Sequence, residues 1–212
     1  MNNLPTFFNY TEEGPTDNGY ETIQDFFLSW TLRCSKDKYK EGNGLLNSYA
    51  KRVLYSLLYG NNSKDIEDNI YKVDFDNGFE DFKVIEVKTK RQYKGVDLLV
   101  EVEVLLNNKR EKYILNIENK WYTNVSDYQL TKNINSISNY KNFNLEEIQL
   151  INIVIFCDGA IYGRNVHICR NNNYRFTNID ELKVLAGMYD LGKTGNELFD
   201  TYWIDIFNQK EN

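Results

Sequence analysis

The chain has 212 residues, of which 42% are apolar and 15% aromatic, and a formal net charge of −6. This length suits one domain with a sizeable core, and the composition excludes a disordered chain. The acidity argues against a simple nucleic-acid binder, whose domain is usually basic, and the absence of any run of about 18 apolar residues argues against a membrane-spanning helix.

Residues 1–19 are polar and turn-rich, and read as an irregular arm with no basic segment ahead of a long apolar one, so no signal peptide is expected. Tyr20–Cys34 reads as a helix with Ile23, Phe26, Phe27, Trp30 and Leu32 on its apolar face. Gly44–Tyr59 is a second helix, stopped by Gly60-Asn61-Asn62. Phe82–Tyr93 is a strand, with Ile85 and Val87 on one face and Val84, Glu86 and Lys88 on the other. After the central stretch discussed below, Ser126–Tyr140 reads as a helix capped by Ser126 or Asp127, with Leu130, Ile134 and Ile137 as its stripe. Leu150–Cys157 is almost continuously apolar, which fits a buried strand. Val166–Arg170 and Tyr174–Phe176 are further strand candidates. Ile179–Tyr189 reads as a helix capped by Asn178 or Asp180, and residues 195–209 as a last helix carrying Leu198, Phe199, Tyr202, Trp203, Ile206 and Phe207. The expected class is α/β, a mixed central β-sheet flanked by helices in one domain spanning 1–212.

The central stretch, Lys94–Lys120, reads as a β-hairpin. In Val96–Leu105 the residues Val96, Leu98, Val100, Val102 and Val104 alternate with Asp97, Leu99, Glu101 and Glu103. The return arm, about Glu111–Asn119, sets Tyr113, Leu115 and Ile117 on one face. Asn107-Asn108 lies between, and Asn tolerates the positive φ of a two-residue hairpin turn. Such a turn places Leu98 opposite Ile117, Val100 opposite Leu115 and Val102 opposite Tyr113. The same register sets Asp97 opposite Glu118, with Lys120 on the same face two residues on.

Two carboxylates held side by side destabilise a sheet unless a cation relieves them. Two carboxylates, a backbone carbonyl and waters make a hard-oxygen site suited to Mg²⁺ or Mn²⁺. A lysine beside such a metal can polarise water or stabilise charge on a phosphate, so the chemistry implied is metal-assisted phosphodiester hydrolysis.

Asp97, followed by Ile117-Glu118-Asn119-Lys120 and then Gln129-Leu130, resembles the PD-(D/E)XK nuclease superfamily, and within it bacterial members with an I-E-N-K third strand and a Gln-Leu helix. The residue before the Asp, often Pro in the superfamily, is Val96 here. The resemblance covers about residues 20–160 and leaves about 161–212 as an extension without a matching motif. It implies a restriction-endonuclease-like core: a helix, three antiparallel strands, a helix and a further strand. It implies that Asp97, Glu118 and the carbonyl of Asn119 hold the metal and that Lys120 assists catalysis. Gln129 would support the site, and Glu21 would add an acid from the first helix, although dipole stabilisation alone also favours Glu there. It further implies a nucleic-acid substrate, DNA ahead of RNA, with restriction or phage defence as the setting and a homodimer or protein partner as an open alternative. The rival reading keeps the fold as a binding or assembly module with weak or absent catalysis.

Other features have plainer readings. Lys88–Lys94 and Lys109–Lys112 are basic, either a solvated face and hairpin tip or a rim guiding phosphates. Glu86-Val87-Lys88 repeats the E-x-K spacing, but its upstream acids, Asp74 and Asp76, lie in a polar loop. Trp121 and Tyr122 could stack on a base, but packing is the simpler role. Gly187–Thr194 matches the phosphate-loop pattern in letters, yet it follows a helix where that loop needs a strand. The single His167 excludes multi-histidine zinc sites and reads as a half-buried structural residue. Cys34, Cys157 and Cys169 have no metal-like spacing, and an odd number of cysteines suits a reducing cytoplasm.

Overall fold

Hydrophobic periodicity becomes secondary structure at most of the expected places. The computed structural model describes residues 4, 20–63, 70–121, 123–138, 140, 147–157 and 159–205. Helices α1 (Tyr20–Cys34) and α2 (Gly44–Tyr59) coincide with the two expected helices, and the two-residue strands β1 (Asn61–Asn62) and β2 (Tyr71–Lys72) pair after them. The chain continues through β3 (Lys83–Tyr93), β4 (Val96–Leu106), β5 (Lys109–Lys120), α3 (Asp127–Ser138) and β6 (Gln149–Phe156). It ends with α4 (Gly159–Asn171), β7 (Arg175–Asn178), α5 (Ile179–Ala186), α6 (Met188–Leu191) and α7 (Glu197–Asp200), which runs into a π-helical turn over Thr201–Asp205.

The five long strands form one mixed sheet in the order β3-β4-β5-β6-β7. Short reversals make β3, β4 and β5 antiparallel; α3 and α4 are the crossovers that return β6 and β7 parallel to β5. The hairpin register is the one its apolar pairs require: Leu98 opposite Ile117, Val100 opposite Leu115, Val102 opposite Tyr113. Asn107 and Asn108 both adopt positive φ, 50° and 61°, as a two-residue turn that follows the strand twist demands. Those apolar side chains pack with α1, α2 and α5 in the main core. Val154, Phe156 and Phe176 on the opposite face pack with Leu130 of α3 and with Val166 and Cys169 of α4.

Four expectations change. Ile85 is exposed while Val84 and Val87 are buried, because a bulge between Val84 and Glu86 shifts the alternation of β3. Ile23 is exposed as well, because the inward face of α1 near its start is polar, formed by Gln24 and Asp25. Val166–Arg170 is helical, part of α4: Val166 and Cys169 face inward at a three-residue spacing and His167 is exposed rather than half-buried. A five-residue run cannot separate a period of 2 from one of 3.6. The last helix breaks into α7 and the π-turn, with Phe199, Tyr202 and Trp203 still buried; Ile206 and Phe207 lie outside the described residues. Trp203 Nε1 donates to Thr31 Oγ1 at 2.8 Å and Tyr202 stacks on Phe27, so the C-terminal segment closes the same core as α1.

Asn108→Gly is expected to leave stability unchanged or raise it, because Gly also accepts the left-handed conformation. Asn108→Val should lose about 1–2 kcal/mol in urea denaturation, the cost of holding a β-branched residue at positive φ.

Candidate active site

The end of β5 distributes four consecutive side chains between two faces. Ile117 joins the main core, Asn119 turns to the same side toward α1, and Glu118 and Lys120 turn to the side covered by α3. Glu118 and Asn119 are wholly buried and Lys120 nearly so. One Glu118 oxygen, Oε1, lies 2.5 Å from Lys120 Nζ and also accepts from the Gln129 side-chain amide; Oε2 accepts from Asn133 Nδ2 at 2.8 Å. Gln129 and Asn133 are one turn apart on α3, which is held in place by the buried Leu130 and Ile137 and by a Ser126 cap that accepts the Gln129 N–H.

Asp97, at the start of β4, is half-buried. Its Oδ2 accepts the backbone N–H of Asn119 at 2.9 Å, which ties it across the strand pair to the residue after Glu118. Its Oδ1 accepts from Gln92 Nε2 at 3.3 Å, and the same amide donates to Asp25 Oδ2 at 3.2 Å. The other Asp25 oxygen receives the Asn119 side-chain amide, whose carbonyl oxygen accepts from Gln24 Nε2 at 2.8 Å. Three acids therefore form one connected system, with Asp97 linked to Glu118 on one side and to Asp25 on the other.

Burial is the main force on both flanking acids. It pushes the Glu118 carboxyl up to about 9, with the Asp97 charge adding to the rise and Lys120 opposing it. Asp25 is raised well above the ordinary carboxyl range, first by burial and then by Asp97, against the hydrogen bonds from Asn119 and Gln92. A divalent cation fits these donors: it would replace a proton that two adjoining carboxylates otherwise share. Among the described residues no three His, Cys, Asp or Glu side chains converge on one point, so such an ion would take Asp97, Glu118, a backbone carbonyl and waters.

Of the residues singled out in the sequence, Asp97, Glu118, Lys120 and Gln129 come together. Asn119 joins them through its backbone N–H, while its side chain serves the α1 contact. Glu21 lies in the first turn of α1 and its side chain is outside the described part of the structure. The acid that α1 delivers is Asp25, four residues on and on the same helical face; spacing alone does not choose between the two. Asn133 is a site residue that the sequence reading missed, and its place one turn after Gln129 is the signal that points to it. Gln92 carried no signal, because it reaches the site through a left-handed backbone, φ 53°, at the end of β3.

The remaining candidates fall elsewhere. Glu86 pairs with Lys36 at 2.8 Å and stands opposite Glu103 of β4, whose carboxylate is taken up by Arg110. Glu101 and Glu103, further along β4 from Asp97, are taken up by Tyr140 and Arg110 respectively. Arg110 and Lys109 are taken up by Glu103 and Glu111 at the hairpin tip. Trp121 packs against the main core, and Tyr122 is outside the described residues. Gly187 is the left-handed C-cap of α5, and Thr194 and Gly195 donate to Asp200; this stretch has no strand before it. No protein-family model, curated protein or solved structure matches the chain.

The raised Glu118 carboxyl fixes a sign. The folded group titrates near 9 and an unfolded glutamate near about 4.3, so between them the folded state holds a proton that the unfolded state has released. Stability of the protein in EDTA is therefore expected to fall as pH rises from about 5 to 9. Glu118→Gln cannot ionise and should flatten the profile; an unchanged slope in urea melts would assign the proton elsewhere.

Proposed function

We propose that the chain is a metal-dependent nuclease with a restriction-endonuclease-like core, hydrolysing phosphodiester bonds in DNA ahead of RNA. The observation that supports this reading is the direct interaction of the Asp97 and Glu118 carboxyls beside Leu98–Ile117, the last pair of β4 and β5, with Lys120 Nζ 2.5 Å from Glu118. Asp97 and Glu118 would hold Mg²⁺ or Mn²⁺ together with the Asn119 carbonyl. The ion, when bound, supplies a Lewis acid for the phosphate oxygens and lowers the pKa of a water.

The protein side chains do the rest. Lys120 presents a cation to the attacking water or to the charge that grows on the phosphate. Gln129 and Asn133 fix the rotamer of Glu118, and Gln92 and the Asn119 N–H fix that of Asp97. Asp25 holds Asn119 from the α1 side, and Glu21 would stand at the mouth of the same helix. The neighbouring helix α3 removes bulk water from Glu118, which strengthens every charge interaction in the site.

One observation favours a second reading, a binding or assembly module on the same fold. Glu118 is wholly buried and both of its oxygens are already matched by Lys120, Gln129 and Asn133. A module needs that network only for stability, while a nuclease must exchange part of it for an ion. A role in restriction or phage defence, and a homodimer or protein partner, belong to the nuclease reading as its setting.

Cleavage of linear, circular and single-stranded DNA with Mg²⁺, Mn²⁺ or EDTA tests the proposal. Asp97→Ala and Lys120→Ala should each lose at least about a hundredfold in rate while near-UV dichroism stays native. Calorimetry should show Mn²⁺ binding that Glu118→Ala abolishes. Cleavage by Asp97→Ala at the wild-type rate rules the nuclease out, and metal-independent binding of a partner with no cleavage selects the module. Asp25→Asn is expected to slow cleavage more than Glu21→Gln, since Asp25 is the acid tied to Asn119 and Asp97.

A further inference from the structure

The outer face of α3 and the β3–β4 reversal form an open depression of about 430 Å³, lined by Lys94, Tyr128, Thr131, Lys132, Asn135 and Ser136. None of these lining residues is acidic, in a chain whose net charge is −6. Tyr128 is 78% exposed, far more than packing would leave it. Lys94 and Lys132 are exposed as well. Asp127, the acid next to Tyr128, is turned away and accepts from Asn172 Nδ2 at 2.7 Å.

The depression is fixed to the acidic site by short links. Ser136 Oγ donates to the Lys94 carbonyl at 3.2 Å, which holds α3 on the reversal. Lys132 lies over Gly95: a Cβ placed there would come within 3.6 Å of its Nζ. Gly95, φ 98°, is two residues before Asp97. On the other side of Lys94, the Tyr93 ring has Lys90 and Lys94 ammonium groups 5.0 and 5.5 Å from its centre. The basic run Lys88–Lys94 is thus divided. Lys94 lines this surface and Lys90 stands over the neighbouring Tyr93 ring, whereas Arg91 is buried and stacks on Phe26 at 3.3 Å.

We propose that this face binds a single-stranded stretch of nucleic acid, with Lys94 and Lys132 on its phosphates and Tyr128 stacked on an unpaired base. Lysines supply the sequence-independent attraction to phosphate, and an exposed aromatic ring supplies a platform that a base inside a duplex cannot reach. The surface lies beside Asp97, so a strand held there leads a neighbouring phosphate toward the carboxylates. This deepens the nuclease reading by naming its substrate class, and it rests on that reading only for the cleavage, not for the binding.

Fluorescence anisotropy of the full chain in EDTA tests the binding without turnover. The probes are a labelled oligothymidylate, a duplex of the same length and polyglutamate. The oligothymidylate should bind more tightly than the duplex, and polyglutamate should not compete. Lys94→Ala/Lys132→Ala should reduce the slope of log K against log salt by about 1.4, two phosphate contacts at about 0.7 each on a single strand. Tyr128→Ala should weaken binding at least about fivefold and leave that slope unchanged. All three positions are exposed, so thermal melting of the variants should match wild type. No saturable binding of oligothymidylate, variants that bind like wild type, tighter binding of the duplex, or equal competition by polyglutamate each overturns the proposal. Metal-dependent cleavage measured alongside separates the two ideas. If wild type cleaves and the variants cleave equally well, the surface fails and the nuclease stands; if nothing cleaves but the variants lose binding, the surface stands alone.

Discussion

A carboxylate without access to water must be answered by its surroundings, and the answer to Glu118 organises this molecule. Burial opposes its ionisation, Asp97 adds like charge, and Lys120, Gln129 and Asn133 offset them. Each of those groups has to be delivered by a different device. Lys120 comes from the alternation of β5, Gln129 and Asn133 from one face of α3, and Asp97 from the register of the hairpin. A slip of one residue in that register would send Asp97 to the opposite face and leave Glu118 beside Leu98 or Val96. The apolar pairs Leu98–Ile117, Val100–Leu115 and Val102–Tyr113 therefore guard the polar site, because they fix the alignment on which it depends.

Buried polar networks of this kind are unforgiving. An unpaired donor or acceptor costs about 1–3 kcal/mol, so a half-built network is worse than an apolar core. The arrangement here is not closed: Asn133 Oδ1 is buried without a partner, on the side of the site that faces Gly95. A chain under selection for stability alone would gain by replacing Glu118 and Asp97 with apolar residues that continue the strand. That Asp97 adds its charge to two buried acids, Glu118 and Asp25, is the physical case for a site rather than a scaffold.

The parts that could be read in the sequence are those where one local rule dominates. The hairpin was legible because strict alternation, a pair of asparagines and matched apolar partners all agree. Helices α1 and α2 were legible because fifteen or sixteen residues are enough to establish a helical period. The α4 segment was not, because Val166–Arg170 is too short for its period to show and its upstream half, Gly159–Asn165, carries few apolar residues. Ile85 was misplaced because a bulge leaves no mark in composition. At the site, the two strands and the Gln129 turn follow from spacing, whereas Asp25 and Gln92 do not. Both act through tertiary placement, and Asp25 competes with Glu21 on the same helical face.

Gln92 shows how far that placement goes. A left-handed backbone at a residue other than glycine costs roughly 1–2 kcal/mol, and Gln92 adopts one at φ 53° inside a strand. The pairing of β3 with β4 skips it, passing from Arg91–Leu98 to Tyr93–Val96. The turn of the backbone sets its amide between Asp25 and Asp97, at 3.2 and 3.3 Å, where it donates to both. Two bonds to carboxylates, at about 1.5 kcal/mol or more each, are of the size needed to hold that conformation. Arg91, by contrast, reaches Phe26 through the regular alternation of β3 that also buries Val87 and Thr89, while Lys90 and Lys94 flank the half-buried Tyr93 ring. Gln92 thus ties α1 to β4 at the inner acids, and the next two residues, Tyr93 and Lys94, carry the chain on to the outer basic face, so both sit at the same end of the sheet.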